Sequence, residues 1–167
     1  MNKRLAKTAC FTGHRQVYAS HRNKLTKRLN KILEHLIKTQ KIDSFLCGGA
    51  IGFDILAGFA VLNLKEKWPH IKLIMVLPCP EQDSVWSEKY KIAYRKLLAS
   101  ADEIIYVSEH FYNGCMEARN IRLVEEGELC IAYLINTRRS GTSQTVRFAK
   151  EKGIPVINLA DDLLTMP

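Results

Sequence analysis

Residues 44–67 read SFLCGGAIGFDILAGFAVLNLKEK, and this stretch decides the fold class. It opens with a short apolar run, Ser44–Cys47, of strand length. Three glycines within five residues follow: Gly48, Gly49 and Gly52, set around Ala50 and Ile51. Beyond them Ile55, Leu56, Phe59, Ala60 and Leu64 fall on one side of a helix expected over Gly52–Lys67. A buried strand, a glycine joint and a helix make half of a βαβ unit.

The same alternation extends in both directions. Upstream, Thr8–Thr12 reads as a strand. His21–Thr39 reads as a helix with Leu25, Leu29, Ile32, Leu33, Leu36 and Ile37 on its apolar side. Downstream, Lys72–Leu77 is a strand ended by Pro78 and Pro80, and Asp83 is the expected N-cap of a helix reaching Leu98. Glu103–Val107, Leu129–Ile135 and Pro155–Leu159 complete six strands. Met116–Glu126, stopped by Gly127 as its C′ residue, and Thr142–Lys152, stopped by Gly153, complete five helices. Asp161–Met166 is expected to form a helical turn. The pattern predicts an α/β fold: a Rossmann-like three-layer αβα sandwich with a mainly parallel sheet. Leu73–Leu77, apolar without alternation, fits a strand buried on both faces. At 167 residues the whole chain, 1–167, reads as one domain.

Charge is uneven. The chain carries +8, yet residues 1–41 alone hold eleven Lys/Arg against the single acid Glu34. The excess belongs to the first helix region, either as a solvated face or as an attraction for a polyanion. Apolar runs such as Leu129–Ile135 are far too short to span a membrane. No apolar h-region follows Lys3, Arg4 and Lys7, so no signal peptide is expected. Five cysteines without a CxxC pair argue against a disulfide framework or zinc site and for a reducing cytoplasm. The five histidines show no metal spacing, and no GxSxG nucleophile elbow occurs.

In open parallel sheets ligands sit beyond the carboxyl ends of the strands. Candidate chemistry therefore reduces to the strand tips. After the first strand, Gly13 lets backbone approach a ligand, and Thr12, His14 and Arg15 bring polar groups, with Thr12 and Arg15 able to donate to phosphate. After the second, Gly48, Gly49, Ala50 and Gly52 suit a phosphate cradle at a helix N-terminus. The segment is neither GxGxxG nor a Walker A loop. Asp54 in the following turn can hydrogen-bond a ribose, orient a water, or simply complement the helix dipole. Trp86 either stacks on a base or packs in its helix. Glu109 and His110 lie in the loop after the fourth strand, and Arg119 and Asn120 early in the next helix, where an Arg can fork onto phosphate. After the fifth strand, Ser140, Gly141, Thr142 and Ser143 open a helix; Thr142 or Ser143 is the expected cap and a second phosphate donor.

Phe11-Thr12-Gly13-His14-Arg15, Gly48-Gly49-Ala50-Ile51-Gly52-Phe53-Asp54, Arg119-Asn120 and Ser140-Gly141-Thr142 together resemble the YpsA-like family of the SLOG superfamily. That superfamily also holds the LOG phosphoribohydrolases and DprA. The resemblance runs over residues 8–159 and implies a Rossmann-like fold with a nucleotide, NAD or ADP-ribose-like ligand. LOG enzymes cleave the N-glycosidic bond of a nucleoside monophosphate with an Arg in Met-x-x-Arg and a Glu in PGGxGTxxE. Here Met116-Glu117-Ala118-Arg119 matches the first, whereas Thr145 stands where the Glu would be. With that carboxylate missing, Asp54 or Glu109 would have to act with Arg119 as the catalytic set. The first expectation is thus a sensor or regulatory module binding a nucleotide-derived small molecule, with no certain cofactor. The alternative is a nucleotide N-glycosidase. Nucleic-acid binding through the basic first helix is less favoured, because no aromatics interleave with its charges. A homo-oligomer involving Phe111 and Tyr112 is left open.

Overall fold

The computed structural model describes residues 7–161. In chain order the elements are β1 (Thr8–Gly13), α1 (Ala19–Thr39), β2 (Ser44–Cys47), α2 (Phe53–Leu64), β3 (Lys72–Leu77) and α3 (Glu88–Ser100). Then follow β4 (Glu103–Tyr106), α4 (Cys115–Glu126), β5 (Leu129–Tyr133), α5 (Gly141–Lys152) and β6 (Val156–Asn158). The expected helical turn at Asp161–Met166 falls, beyond its first residue, outside the described residues.

One six-stranded sheet runs in the order β4-β3-β2-β1-β5-β6, and every pairing in it is parallel. Right-handed crossovers put α1, α2 and α3 on one face and α4 and α5 on the other. Alternate strand residues serve the two layers. Phe11, Phe45, Met75 and Ile131 join the core under α1–α3, while Cys10, Leu46, Val76 and Cys130 join Leu123, Val124 and Ala149 under α4 and α5. All five cysteines are free and buried. Chain order reverses between β1 and β5, so the crevice above those two strand ends is the switch point. No helix among the described residues is long and apolar enough to cross a membrane.

Most element ends differ from expectation by one to three residues, and four differences have a distinct local reason. The segment after β3 makes consecutive turns, Gln82 N–H to the Cys79 carbonyl, Ser84 to Glu81 and Trp86 to Asp83. Asp83 is therefore no cap, and α3 starts after Ser87. Strand β5 stops at Tyr133 because the Asn158 amide takes over the backbone of Leu134, accepting its N–H at 3.0 Å and donating to its carbonyl at 2.9 Å. Ser140, rather than Thr142 or Ser143, caps α5; Ser143 is its reciprocal partner in a capping box. Gly127 ends α4 in an extended conformation, φ −84°, not as a left-handed C′ residue. Gly153 does end α5 left-handed, at φ +83°.

Candidate functional site

A cavity of about 510 Å³ lies at the β1/β5 switch point. Thr12, Gly13, His14 and Arg15 from the β1 tip form one wall. Ala50 and Asp54 approach from the β2–α2 joint, Arg119 and Asn120 from α4, and Ser140, Gly141 and Thr142 from the start of α5. Phe11, Met116 and Leu123 supply the apolar part of the lining.

Arg119 is buried, although guanidinium groups are rarely so. Its Nε donates to Asn120 Oδ1 at 2.8 Å, and its Nη1 donates to the Gly48 carbonyl at 2.7 Å and to Gln82 Oε1 at 3.3 Å. Nη2 has no acceptor among the described residues, which leaves one edge of the fork unused. Burial lowers the pKa of Arg119, and the Asp54 charge opposes that.

Asp54 is equally buried. Its Oδ2 accepts the Ala50 N–H at 3.3 Å, and its Oδ1 has no hydrogen-bond partner among the described residues. Desolvation pushes its carboxyl up to about 6, against the pull of Arg119, the Ala50 N–H and Arg15. Asp54 and Arg119 form no direct hydrogen bond among the described residues: Arg119 donates instead to Asn120, Gly48 and Gln82. The carboxyl of this cavity-lining residue therefore titrates well above the usual carboxylate range, and one of its oxygens is buried without a partner.

The glycine joint after β2 is built for packing, not as an open phosphate cradle. A Cβ on Gly52, at φ +92°, would stand 2.2 Å from the Arg15 carbonyl oxygen. The first N–H of α2, that of Phe53, donates to the His14 carbonyl at 3.2 Å, and the Ala50 N–H is spent on Asp54. Gly49 faces Met75 and Tyr94, and Gly48 lies against Arg119 and Asp54. A Cβ on Gly13 would stand 2.3 Å from the Phe53 ring. These close approaches account for the glycines. Of the four expected cradle residues, only Ala50 lines the cavity.

The α5 end is different. Ser143 N–H goes to Ser140 Oγ at 3.1 Å and Gln144 N–H to the Ser140 carbonyl at 3.0 Å. The N–H groups of Gly141 and Thr142 are first-turn donors with no acceptor inside the helix. They stand at the positive end of a twelve-residue helix, on the cavity wall. Ser143 itself is taken up by the capping box and lies outside this lining.

His14 pins the two tips together. Its Nε2 accepts the Ile135 N–H at 3.0 Å and its own N–H donates to the Tyr133 carbonyl at 3.2 Å. Burial lowers its pKa, which keeps Nε2 available as an acceptor. Beneath it Tyr133 stacks on Phe53 at 5.9 Å and takes part in a 2.8 Å bond with His21 Nδ1.

Glu109, His110, Trp86 and Thr145 stand apart from the cavity lining. Glu109 is exposed and does not line the cavity, so it is not brought to Arg119. Its neighbour His110 is also exposed and faces Glu81 at 3.3 Å. Trp86 packs edge-on against Tyr94 at 5.0 Å in the core periphery. Thr145 is fully buried and bonds the Gly141 carbonyl within α5, offering no group to a ligand. Gln82 is the residue the sequence did not single out: it accepts from Arg119 and donates to the Gly48 carbonyl at 3.2 Å and to Tyr94 Oη at 3.3 Å. Only its place after β3 hinted at such a brace.

The family model YpsA, described as the YspA SLOG family, matches residues 10–151. The chain belongs to this family. The resemblance carried by its strand tips is thus borne out. Relatives of this SLOG protein include the SPbeta prophage-derived protein YoqJ of Bacillus subtilis, 36% identical over 140 residues, 77% of this chain and 81% of the relative. A UPF0398 protein of Halalkalibacterium halodurans is 25% identical over 147 residues, 85% of this chain and 78% of that one. DNA processing protein A (DprA) of Streptococcus pneumoniae shares the fold, with a TM-score of 0.65 and 19% identity over 93% of this chain and 54% of its own. The Helicobacter pylori DprA, whose structure concerns single-stranded DNA binding, gives 0.66 and 19% over 95% and 71%. At that identity the DprA likeness speaks for the Rossmann-like fold alone.

Proposed function

We propose that this SLOG protein binds a nucleotide-derived small molecule in the 510 Å³ cavity, as a sensor or regulatory module. The volume suits a small ligand. One observation carries the reading: a buried arginine with an unused Nη2 and the two unspent N–H groups of Gly141 and Thr142 converge on one cavity. That is a donor set for a phosphate. Arg15 adds a second cation at the mouth, and Thr12 and Asn120 add neutral polar groups for a sugar.

Calorimetry with AMP, GMP, CMP, UMP, ADP-ribose and NAD tests it. Binding of at least one, lost in Arg119→Met, is the expected result. At about one hundred times Kd a ligand stabilises the fold by roughly 2.7 kcal/mol, visible as a thermal shift. A folded protein that none of the six stabilises overturns the reading.

Asp54 favours a second reading, nucleotide N-glycosidase. Its unpartnered Oδ1 and its carboxyl near pH 6 suit a group that takes a proton from water while the base leaves C1′. Water would then supply the new C1′–O bond, and its proton would end on the departing base. Chromatographic detection of free base from a monophosphate, abolished in Asp54→Asn, supports this reading; intact nucleotide after incubation with folded protein removes it. A third reading, single-stranded nucleic-acid binding, draws on the basic first helix. It predicts retention in a low-salt gel shift that weakens steeply as salt rises.

A further inference from the structure

A larger groove, about 960 Å³, opens on the α1–α3 side of the molecule. Its floor is the outward side of α2, where Ile55 and Phe59 follow Ile51 at four-residue steps and are only half-buried. Helix α2 is apolar nearly all round, a composition that usually goes with full burial. Here the outward side is uncovered between its neighbours. The rim is cationic: Arg22 and Lys27 from α1 and Lys89 from α3, with no Asp or Glu in the lining. Tyr90 stands beside Lys89, whose Nζ lies 5.8 Å from the centre of its ring.

Arg15 is the one residue that lines both this groove and the inner cavity. Its charge reaches the inner groups, pulling the Asp54 carboxyl down and opposing the charge on Arg119. The two spaces are therefore neighbours across a single exposed guanidinium.

We infer that the groove takes a second nucleoside, joined through phosphate lying on Arg15 to the nucleotide in the inner cavity, so that the ligand is a dinucleotide. This rests on the proposed nucleotide binding in that cavity. The apolar floor and Tyr90 match the face of a base, and base–aromatic stacking tolerates any base. Lys27, Arg22 and Lys89 match negative charge, and the acid-free lining offers it no repulsion. An aliphatic ligand alone would leave that rim unused, and a simple anion would leave the floor unused.

Calorimetry decides it. The probes are the ribonucleoside monophosphate that binds tightest, its 5′–5′ pyrophosphate-linked dinucleotide, and its 5′-phosphorylated 3′–5′ dinucleotide. At least one dinucleotide is expected to bind about tenfold tighter than the monophosphate, the order that one stacked base supplies. In Lys89→Glu/Tyr90→Ala, and independently in Lys27→Glu, that gain shrinks while monophosphate affinity holds. All three sites are exposed, so the variants keep the fold. A pyrophosphate preference identifies a free dinucleotide, and a phosphodiester preference identifies the end of a nucleic-acid strand. Equal affinity for all three probes, or a gain that survives both variants, overturns the groove assignment and leaves the inner site standing. Failure of every probe to bind removes both.

Discussion

Arg119 Nη1 donates to the carbonyl oxygen of Gly48 at 2.7 Å, across 71 residues of chain. The bond ties α4, on one face of the sheet, to the β2 tip whose own helix packs on the other. It is possible because Gly48 has no side chain: a Cβ there would stand 2.6 Å from Arg119 Nη1 and 3.0 Å from Asp54 Oδ2.

Gly48→Ala is accordingly expected to displace Arg119 and to strip a buried cation of its main acceptor. A loss of about 2–4 kcal/mol is expected, in the range for breaking buried polar networks. Gly153→Ala is the contrast, with open space around it but φ +83°, and should lose only about 1 kcal/mol. Urea unfolding of both variants makes the comparison; equal losses would mean that Gly48 matters only as backbone.

Asp54 holds its charge at a cost to the fold. The rise of its carboxyl from 3.8 to about 6 means the native state binds more protons than the unfolded chain between those values. Stability from this group is complete below about pH 4 and lost as pH rises through 6. At neutral pH the deficit is about 3 kcal/mol. Asp54→Asn should therefore be more stable than the parent at pH 7, by about 1–3 kcal/mol, with the gap closing toward pH 4. Thermal melts across that range read it directly; a variant less stable at pH 7 would show that the carboxylate is structural.

His14 titrates with the opposite sign. Burial holds its pKa below 6.5, so the native state binds fewer protons than the unfolded chain in the window just under that value. Its contribution is complete above 6.5 and lost as pH falls through the window. Nitrogen NMR of the imidazole should find Nε2 unprotonated at pH 7, accepting from Ile135, with the proton on Nδ1. A proton on Nε2 would contradict the link between the two tips.

Ser140→Ala removes one half of the α5 capping box. A loss of about 1 kcal/mol is expected, or roughly 2–4 °C in Tm for a chain of this size. Because Ser140 also lines the cavity, the same variant should weaken phosphate-bearing ligands more than Ser143→Ala does. Paired melting and titration experiments on the two variants separate capping from binding.

The layer order and nearly all element cores were legible in the sequence because apolar period and chain punctuation report burial directly. Leu25, Leu29, Leu33, Leu36 and Ile37 of α1 are buried as their spacing requires. What local pattern could not report was the use of backbone donors. The glycines after β2 read as a phosphate loop, yet their neighbours' N–H groups go to His14 and Asp54, partners set by tertiary contact. Arg119 was placed correctly at the sheet's edge, but its burial depends on Gly48 and Gln82, which lie 71 and 37 residues away. Glu109 sat at a strand tip in sequence and faces solvent in the fold, since the long loop after β4 leaves the edge of the sheet.

The two layers flanking the sheet are unequal. Three helices and most of the large side chains lie on one side; two helices and a small cluster around Leu123, Val124 and Ala149 lie on the other. Arg119 and the unspent α5 amides belong to the lighter side, whose own packing restrains it least. A monophosphate confined to the inner cavity would then be felt chiefly there, slowing amide exchange in α4 and α5 while α1, which lines only the outer groove, hardly responds. A reporter for the loaded state, whether a fluorophore or an isotope label, belongs on that pair of helices.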